Sequence, residues 1–367
     1  MTSPILSVPG AVPPPEETAD PGVPWHFGDP FAEQRTATRS AAVVDRSHRE
    51  VIAVPGVERL SWLHLVISQH VSALPAGAGS EALILDSQGR VDAHMVLSHV
   101  DDVVWLDTEA GASTVGARGG RVPLLEYLEQ MRFWSKVEPR DATAEKAVLT
   151  IVGPEAPQVL ARLGLPAPEG QYASAERDGV VVRRMPWPGP DAADLLVPRA
   201  DLADWWARIT DAGARPMGSL AFEALRVEAL RPRMGVDTDE KTIPHEVSWV
   251  PSAAHVAKGC YRGQETVSKV HNIGRPPRRM VLLHLDGAAD ELPETGAPVL
   301  AGERVVGRVG SAVQHHELGP VALALLKRSV DPATPLTAGA AAAAVDPDSV
   351  PAEIGGAGRA AAQGLRG

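Results

Sequence analysis

Cysteine is almost absent from this sequence, since Cys260 is the only one in 367 residues. A single thiol excludes an intramolecular disulfide and is typical of a reducing compartment, so we predict a cytoplasmic location. It also excludes a self-contained iron–sulfur site, because such a cluster normally takes four thiolates from its protein. Any thiol chemistry of this chain must therefore use Cys260.

Long apolar runs and an excess of positive charge are absent too. No stretch approaches the roughly 18 apolar residues of a membrane-spanning helix. The N-terminus has no charged segment followed by an apolar one, so we expect no signal peptide. The formal net charge of −11 argues against nucleic acid or an anionic membrane as the main partner.

The composition changes along the chain and predicts several domains. Residues 1–24 are rich in proline and show no hydrophobic periodicity, which predicts a flexible leader. Between residues 25 and 275, short apolar strands alternate with helical patterns, as in α/β or α+β folds. Residues 276–335 contain short β-rich runs separated by Gly and Pro, which predict a small β-barrel. Residues 336–367 are rich in Ala and Gly and predict a flexible, poorly packed tail.

The segment around the cysteine combines two features that activate a thiol. It reads Lys258-Gly259-Cys260-Tyr261-Arg262-Gly263-Gln264-Glu265. A short helix is predicted from Gln264 to His271, stopped by Gly274 and Pro276, so Cys260 lies just ahead of a helix N-terminus and between two cations. Both features favour the thiolate, which predicts a reactive cysteine. A buried cysteine that acts as a small apolar residue is the alternative.

This octapeptide resembles a family signature, Lys-Gly-Cys-Tyr-x-Gly-Gln-Glu, at all seven specified positions. The signature is that of the YgfZ family, folate-binding proteins related to the glycine-cleavage T-protein and implicated in the maintenance of iron–sulfur enzymes. The resemblance implies an α+β fold in which two interleaved ferredoxin-like domains and a C-terminal β-barrel form a ring around a folate-binding hole. It also implies tetrahydrofolate or another folate as cofactor, and iron–sulfur client or assembly proteins as partners.

The same resemblance implies folate contacts at Asp194, Arg226 and Glu228. The T-protein family carries an acidic residue at a strand start, then a helix, then an Arg-x-Glu segment. A carboxylate at the strand start can accept the adjacent donors of a pterin ring in a bidentate manner. The family uses glutamate there, and Asp194 is shorter by one methylene. A solvated charge at a strand edge is the alternative interpretation of Asp194.

One departure from the T-protein pattern argues against its transfer reaction. The family has Gly-x-x-x-Asp-Asp where this chain reads Gly89-Arg90-Val91-Asp92-Ala93-His94. Because neighbouring residues of a strand face opposite sides, Asp92 does not replace the aspartate that is missing one position later.

We therefore expect an accessory protein for iron–sulfur enzymes with Cys260 as its working thiol, rather than an enzyme. Two alternatives stay open: a tetrahydrofolate-dependent aminomethyltransferase or related one-carbon transferase, and a non-catalytic protein-binding scaffold. We predict no metal site, because no cysteine or acidic pair accompanies His315 and His316 at ligand spacing.

Overall fold

The computed structural model describes residues 1–16, 18–287 and 291–352. Seven α-helices lie in these ranges: α1 (Pro30–Arg39), α2 (Arg59–Val66), α3 (Leu124–Gln130), α4 (Ala156–Arg162), α5 (Leu202–Asp211), α6 (Ser219–Glu228) and α7 (Gln264–Ile273). None of these helices has both the length and the hydropathy that crossing a membrane requires.

The β-strands are more numerous and mostly short. Within the described ranges they are β1 (Ala42–Asp45), β2 (Glu50–Pro55), β3 (Gly79–Leu85), β4 (Val91–Val100), β5 (Val103–Thr108), β6 (Ser113–Val115), β7 (Arg121–Pro123), β8 (Arg140–Asp141), β9 (Lys146–Val152), β10 (Ser174–Arg177), β11 (Val180–Met185), β12 (Ala192–Pro198), β13 (Arg215–Met217), β14 (Arg278–Leu285), β15 (Pro298–Ala301), β16 (Arg304–His315), β17 (Gly319–Lys327), β18 (Leu336–Ala338) and β19 (Ala341–Val345).

Residue contacts divide the chain into two compact units, each assembled from separate segments. The first comprises Met1–Leu63, Val71–Ser80 and Met95–Arg231, and the second comprises His64–His70, Glu81–His94 and Pro232–Gly367. Both units use segments of residues 25–275, the range in which interleaved domains are predicted.

The first unit contains a six-stranded sheet in the order β10-β11-β12-β9-β1-β13. Successive side chains along its central strands face opposite sides of the sheet, one side toward the apolar core and the other toward a row of polar residues. Leu195 pairs with Leu149 and Val182, and all three belong to the core. One position earlier on β12, Asp194 pairs with Thr150 and Arg183 on the other face. The period of two in the strands therefore sets a line of polar side chains across a buried sheet.

A second, antiparallel arrangement in the first unit is built around β2. This strand pairs with β5 on one side and with β8 on the other. The part of β4 from Met95 to Val100 pairs with β5, and β6 and β7 form a separate hairpin. Asp107, near the end of β5, is buried.

The second unit contains a closed barrel of six strands in the order β14-β17-β16-β15-β18-β19. The mixed α/β fold and the small C-terminal barrel are thus as predicted. The predicted end of the barrel at residue 335 is wrong, because β18 and β19 complete it. Alternate residues of β19 are buried, and their small alanine side chains fit the interior of the barrel. The alanine-rich composition of this segment does not by itself indicate a strand. Residues 353–367 of the predicted tail lie outside the described residues.

The predicted leader is also packed where the structure describes it. Ile5 is fully buried in the core of the first unit, and Val23 is fully buried too. The Ser3 hydroxyl donates a hydrogen bond to the Asp45 carboxylate at the end of β1. A proline-rich composition predicted no packing here, but single apolar side chains are enough to anchor an irregular segment.

Candidate functional site

Lys258 ties the cysteine segment to the C-terminal end of α2. Its Nζ donates hydrogen bonds to three main-chain carbonyl oxygens, those of His64, Ile67 (2.6 Å) and Gln69 (3.2 Å). The last carbonyls of a helix have no partner within the helix, so a buried ammonium group there satisfies them. Burial lowers the pKa of Lys258 to about 8.

Tyr261 and Gln264 close the loop that carries the cysteine. The Tyr261 ring lies 5.0 Å from the Lys258 Nζ, and its hydroxyl donates to the carbonyl of His255 at 3.2 Å. Gln264 Nε2 donates to the carbonyl of Lys258 at 2.8 Å. Burial raises the pKa of Tyr261 to about 12, so its hydroxyl stays a donor at physiological pH. The loop is therefore fixed by side chains on both sides of Cys260.

The helix predicted after the cysteine is present as α7. Gly263 precedes its first residue with a φ of 79°, and Gly274 follows its last residue with a φ of 70°. Both angles lie in the left-handed region that glycine adopts without strain. Glu265 is exposed in the first turn, where its negative charge is favourable toward the helix dipole.

Cys260 itself is exposed. Side chains on either side of it are anchored, and a Cβ on Gly259 would meet nothing within 4 Å, so the main chain beside the thiol is open to approach. The three N–H donors of the Lys258 ammonium group are matched by the three carbonyls. The ammonium group of Lys258 therefore serves to anchor the loop that carries Cys260.

Three histidine rings surround this anchor, a grouping that sequence reasoning missed. The His64 and His70 ring centroids are 4.6 Å apart, and those of His70 and His255 are 5.4 Å apart. Burial and the neighbouring Lys258 charge lower the pKa of both His64 and His255. No group of three or more His, Cys, Asp or Glu side chains in the described part of the chain is arranged to hold a metal ion.

Asp194, the predicted pterin contact, lies in the first unit and is fully buried. Thr150 Oγ1 donates to its Oδ1 at 2.6 Å, and Arg183 Nη2 donates to its Oδ2 at 2.6 Å. Arg46 Nη1 is 3.5 Å from Oδ1. The alternative of a solvated strand-edge charge is therefore excluded. A clue was available in the sequence, because Arg183 and Arg184 interrupt the apolar residues of β11.

The ion pairs extend from Asp194 to a second buried carboxylate. Arg183 Nη2 lies 2.7 Å from Asp107 Oδ1, and Arg49 Nε lies 2.7 Å from Asp107 Oδ2. Burial alone would raise the pKa of Asp107, but Arg183, Arg49 and Arg46 lower it to about 2. The negative charge of this carboxylate is therefore maintained inside the first unit.

Aromatic side chains border the same cluster. The Arg46 guanidinium lies 4.8 Å from the ring centroid of Phe222 on α6 and 5.6 Å from that of Trp187. The indole Nε1 of Trp187 is buried and has no hydrogen-bond partner in the described part of the chain. Arg46 thus connects Asp194 to the helix that carries the other two predicted folate contacts.

Arg226 and Glu228 occupy different environments on α6. Arg226 is buried and donates from Nε and Nη2 to the two carboxylate oxygens of Glu223, at 2.9 and 2.7 Å. Its Nη1 also donates to the carbonyl of Arg231. Glu228 ends the helix and is exposed.

The departure from the Asp-Asp pattern is visible in the second unit. Ala93 is fully buried, whereas Asp92 and His94 are half-buried on the other face of β4. The His94 ring stacks on Trp249, with centroids 4.9 Å apart and planes 9° apart, and its Nε2 lies 3.7 Å from the buried carboxylate of Glu81. An imidazole beside a buried carboxylate therefore lies at this point of the strand.

Two family models match the chain. The GCVT N-terminal domain matches residues 22–250, and the CAF17 C-terminal beta-barrel domain matches residues 278–352. The second match includes β18 and β19, in agreement with the barrel that the structure shows.

Curated relatives include proteins named aminomethyltransferase. The one from Nitrosococcus oceani is 29% identical over 62% of this chain and 63% of its own length, so the chain spans less than two thirds of that relative. The one from Streptomyces avermitilis is 24% identical over 86% of each. A putative chloroplastic transferase from Arabidopsis thaliana is 25% identical over 73% of this chain and 61% of its own.

A solved structure shares the fold. The glycine cleavage system aminomethyltransferase T from Bartonella henselae superposes with a TM-score of 0.80 at 20% identity, over 93% of this chain and 94% of that one.

Proposed function

This chain belongs to the family of the GCVT N-terminal domain, and we propose from that premise that it is a folate-binding accessory protein for iron–sulfur enzymes. The CAF17-type barrel that follows this domain gives the chain the architecture of the YgfZ family. In this proposal Cys260 is the working thiol, and the client or assembly protein brings the cluster or the oxidised sulfur on which it acts.

The observation that carries the proposal is an exposed thiol on a fixed loop. Lys258, Tyr261 and Gln264 are all engaged in hydrogen bonds within the second unit, while Cys260 is exposed. A purely structural cysteine is normally buried as a small apolar residue. An ordered loop that presents a thiol in solvent is suited to thiol exchange, or to lending one sulfur ligand to a cluster held elsewhere.

The first unit offers groups that fit a folate. Trp187 has a buried N–H donor that finds no partner among the described residues, and it lies with Phe222 beside the Arg46 guanidinium. Flat aromatic faces and an unused donor suit a heteroaromatic ring with acceptor atoms. Bound tetrahydrofolate would supply a carrier for one-carbon units.

We assign separate tasks to the three proposed folate residues. Asp194, whose carboxylate is fully buried, keeps Arg183 in place and holds Arg46 beside the aromatic rings that the pterin would contact. Arg226 fixes the end of α6 through Glu223 and the carbonyl of Arg231. Glu228 is exposed at that end, so it would contact a part of the ligand that reaches solvent.

The decisive experiment replaces the thiol and follows iron–sulfur enzyme activity in cells that lack the native protein. We expect Cys260→Ser to keep the fold and the affinity for tetrahydrofolate while it abolishes the support of these enzymes. Ser268→Ala, a nearby change that spares the thiol, is the matched control. Full rescue by Cys260→Ser would exclude the thiol mechanism and leave a protein-binding scaffold.

The names of the relatives favour a second candidate, a tetrahydrofolate-dependent aminomethyltransferase. In that case His94, held between Trp249 and Glu81, would be the first residue to test for proton transfer. The purified chain is incubated with tetrahydrofolate and an aminomethyl donor. We expect no turnover, and turnover that His94→Ala removes would replace the first proposal with this one.

A further inference from the structure

An exposed aromatic pair lies on the loop after α3. Phe133 is 72% exposed and Trp134 is 97% exposed, and Val57 on a neighbouring loop is 82% exposed. The other seven tryptophans of the chain are all buried or half-buried. Large apolar side chains that are exposed together mark interaction sites. We call residues 131–137 the aromatic loop.

The aromatic loop is fixed to its surroundings in the first unit. Trp62 Nε1 donates to the carbonyl of Met131 at 2.9 Å, and the main-chain N–H of Lys136 donates to Glu58 Oε2 at 2.6 Å. A Cβ on Gly56 would lie 2.3 Å from the carbonyl oxygen of Lys136, so only glycine allows this approach. The exposure of the two aromatic rings is therefore not the result of a loosely held segment.

The main-chain conformation of Phe133 also indicates a functional position. Its φ of 45° lies in the left-handed region, which is unfavourable for a residue with a Cβ. The packing of its own ring does not explain that conformation, because the ring is largely in solvent. Unfavourable backbone conformations that surrounding contacts maintain occur preferentially at functional positions.

The charges of the loop indicate what it binds. Residues 131–137 contain two cations, Arg132 and Lys136, and no carboxylate, although the whole chain has a net charge of −11. Both cations are exposed, and neither side chain forms an ion pair within the described part of the chain. Two shallow clefts flank the loop. Arg132 and Glu138 line both of them, Phe133 lines the first and Lys136 lines the second.

We propose that the aromatic loop binds an acidic amphipathic segment of a partner protein. The apolar side chains of that segment cover Phe133 and Trp134, and its carboxylates pair with Arg132 and Lys136. Tryptophan and arginine dominate the residues that carry binding energy at protein interfaces. A loop that is already fixed loses little further conformational freedom on binding.

The test selects a random-peptide phage library on the full chain and then measures synthetic copies of the enriched peptides by fluorescence anisotropy. We expect the peptides to combine apolar residues at a spacing of three or four with several Asp or Glu. Trp134→Ala should weaken their binding at least about tenfold. The Arg132→Glu and Lys136→Glu double variant should weaken binding as well and remove its dependence on salt.

Matched controls come from exposed residues of the barrel. Val305→Ala and Arg304→Glu should leave peptide binding unchanged, and so should Cys260→Ser, which separates this surface from the proposed thiol function. Peptides without acidic residues, or peptides that bind Trp134→Ala as tightly as the native chain, would overturn the proposal. So would Trp134-dependent binding to phosphatidylserine vesicles, or Trp134-dependent self-association in sedimentation, in place of peptide binding.

Discussion

Gly263 and Gly89 meet main chain to main chain in the second unit. A Cβ on Gly263 would lie 2.7 Å from the Cα of Gly89, and a Cβ on Gly89 would lie 2.6 Å from the Cβ of Thr266 on α7. Both glycines have left-handed φ angles, 79° and 78°. The turn that connects β3 to β4 therefore packs directly on the start of α7, the helix that follows the cysteine. No residue other than glycine fits at either position.

We expect Gly263→Ala to destabilise the protein by about 1–3 kcal/mol, since the added Cβ meets the facing turn in a conformation that alanine avoids. Gly259→Ala is the control, because its Cβ would meet nothing within 4 Å and its φ is not left-handed. That change should stay within about 0.5 kcal/mol. Urea unfolding measures both, and equal effects of the two substitutions would contradict the packing described for Gly263.

Lys258 should leave a signature in the pH dependence of stability. Burial lowers its pKa from 10.5 to about 8 in the folded chain. Between these values the unfolded chain still binds a proton that the folded chain has released, so this residue makes the free energy of unfolding rise with pH. Lys258→Met should remove that rise, and the exposed Lys269→Met should not. Urea titrations across this range, with identical slopes for the native protein and Lys258→Met, would show that the ammonium group stays charged.

Asp107 should contribute stability that acid removes. Its pKa is lowered from 3.8 to about 2 by Arg183, Arg49 and Arg46 acting against burial, so the contribution is present above 3.8 and is lost as pH falls through about 2. Asp107→Asn should destabilise the protein by about 3–5 kcal/mol near neutral pH, because it leaves buried arginine charge uncompensated. It should also reduce the loss of stability that the native protein shows as the pH falls from 3.8 toward 2. Asp102→Asn, at an almost fully exposed carboxylate, should change neither quantity in thermal unfolding followed by circular dichroism.

Asp194 should control folate affinity. We expect Asp194→Asn to weaken tetrahydrofolate binding at least about tenfold, or about 1.4 kcal/mol, because the carboxylate orients Arg46 beside the aromatic rings proposed to contact the ligand. Asp191→Asn, which removes only the half-buried pair with Arg184, is the control. Calorimetry on folded variants decides the matter. Unchanged affinity of Asp194→Asn would remove this residue from the site, and no binding by the native chain would favour the scaffold alternative.

Local features were predictable because neighbouring residues determine them. Gly274 ends α7 as expected, and the short runs after residue 276 form barrel strands. Periodicity and turn chemistry act over a few residues, so they can be recognised without tertiary structure. Composition was a poorer guide: it predicted a tail where β18 and β19 close the barrel, because closure depends on alternate burial and not on residue frequency.

The sequence by itself determined the family signature around Cys260 and the broad order of strands and helices. Only the tertiary structure decided what the charged residues of that signature do. Lys258 was predicted to flank the thiol, but its ammonium group donates its hydrogen bonds to main-chain carbonyls at and just after the end of α2. Asp194 was identified from its neighbours, yet its partners Arg46, Thr150 and Arg183 come from other strands and loops. A charge buried away from water must find compensating partners in space, and the sequence does not state which distant residues will be close enough to supply them.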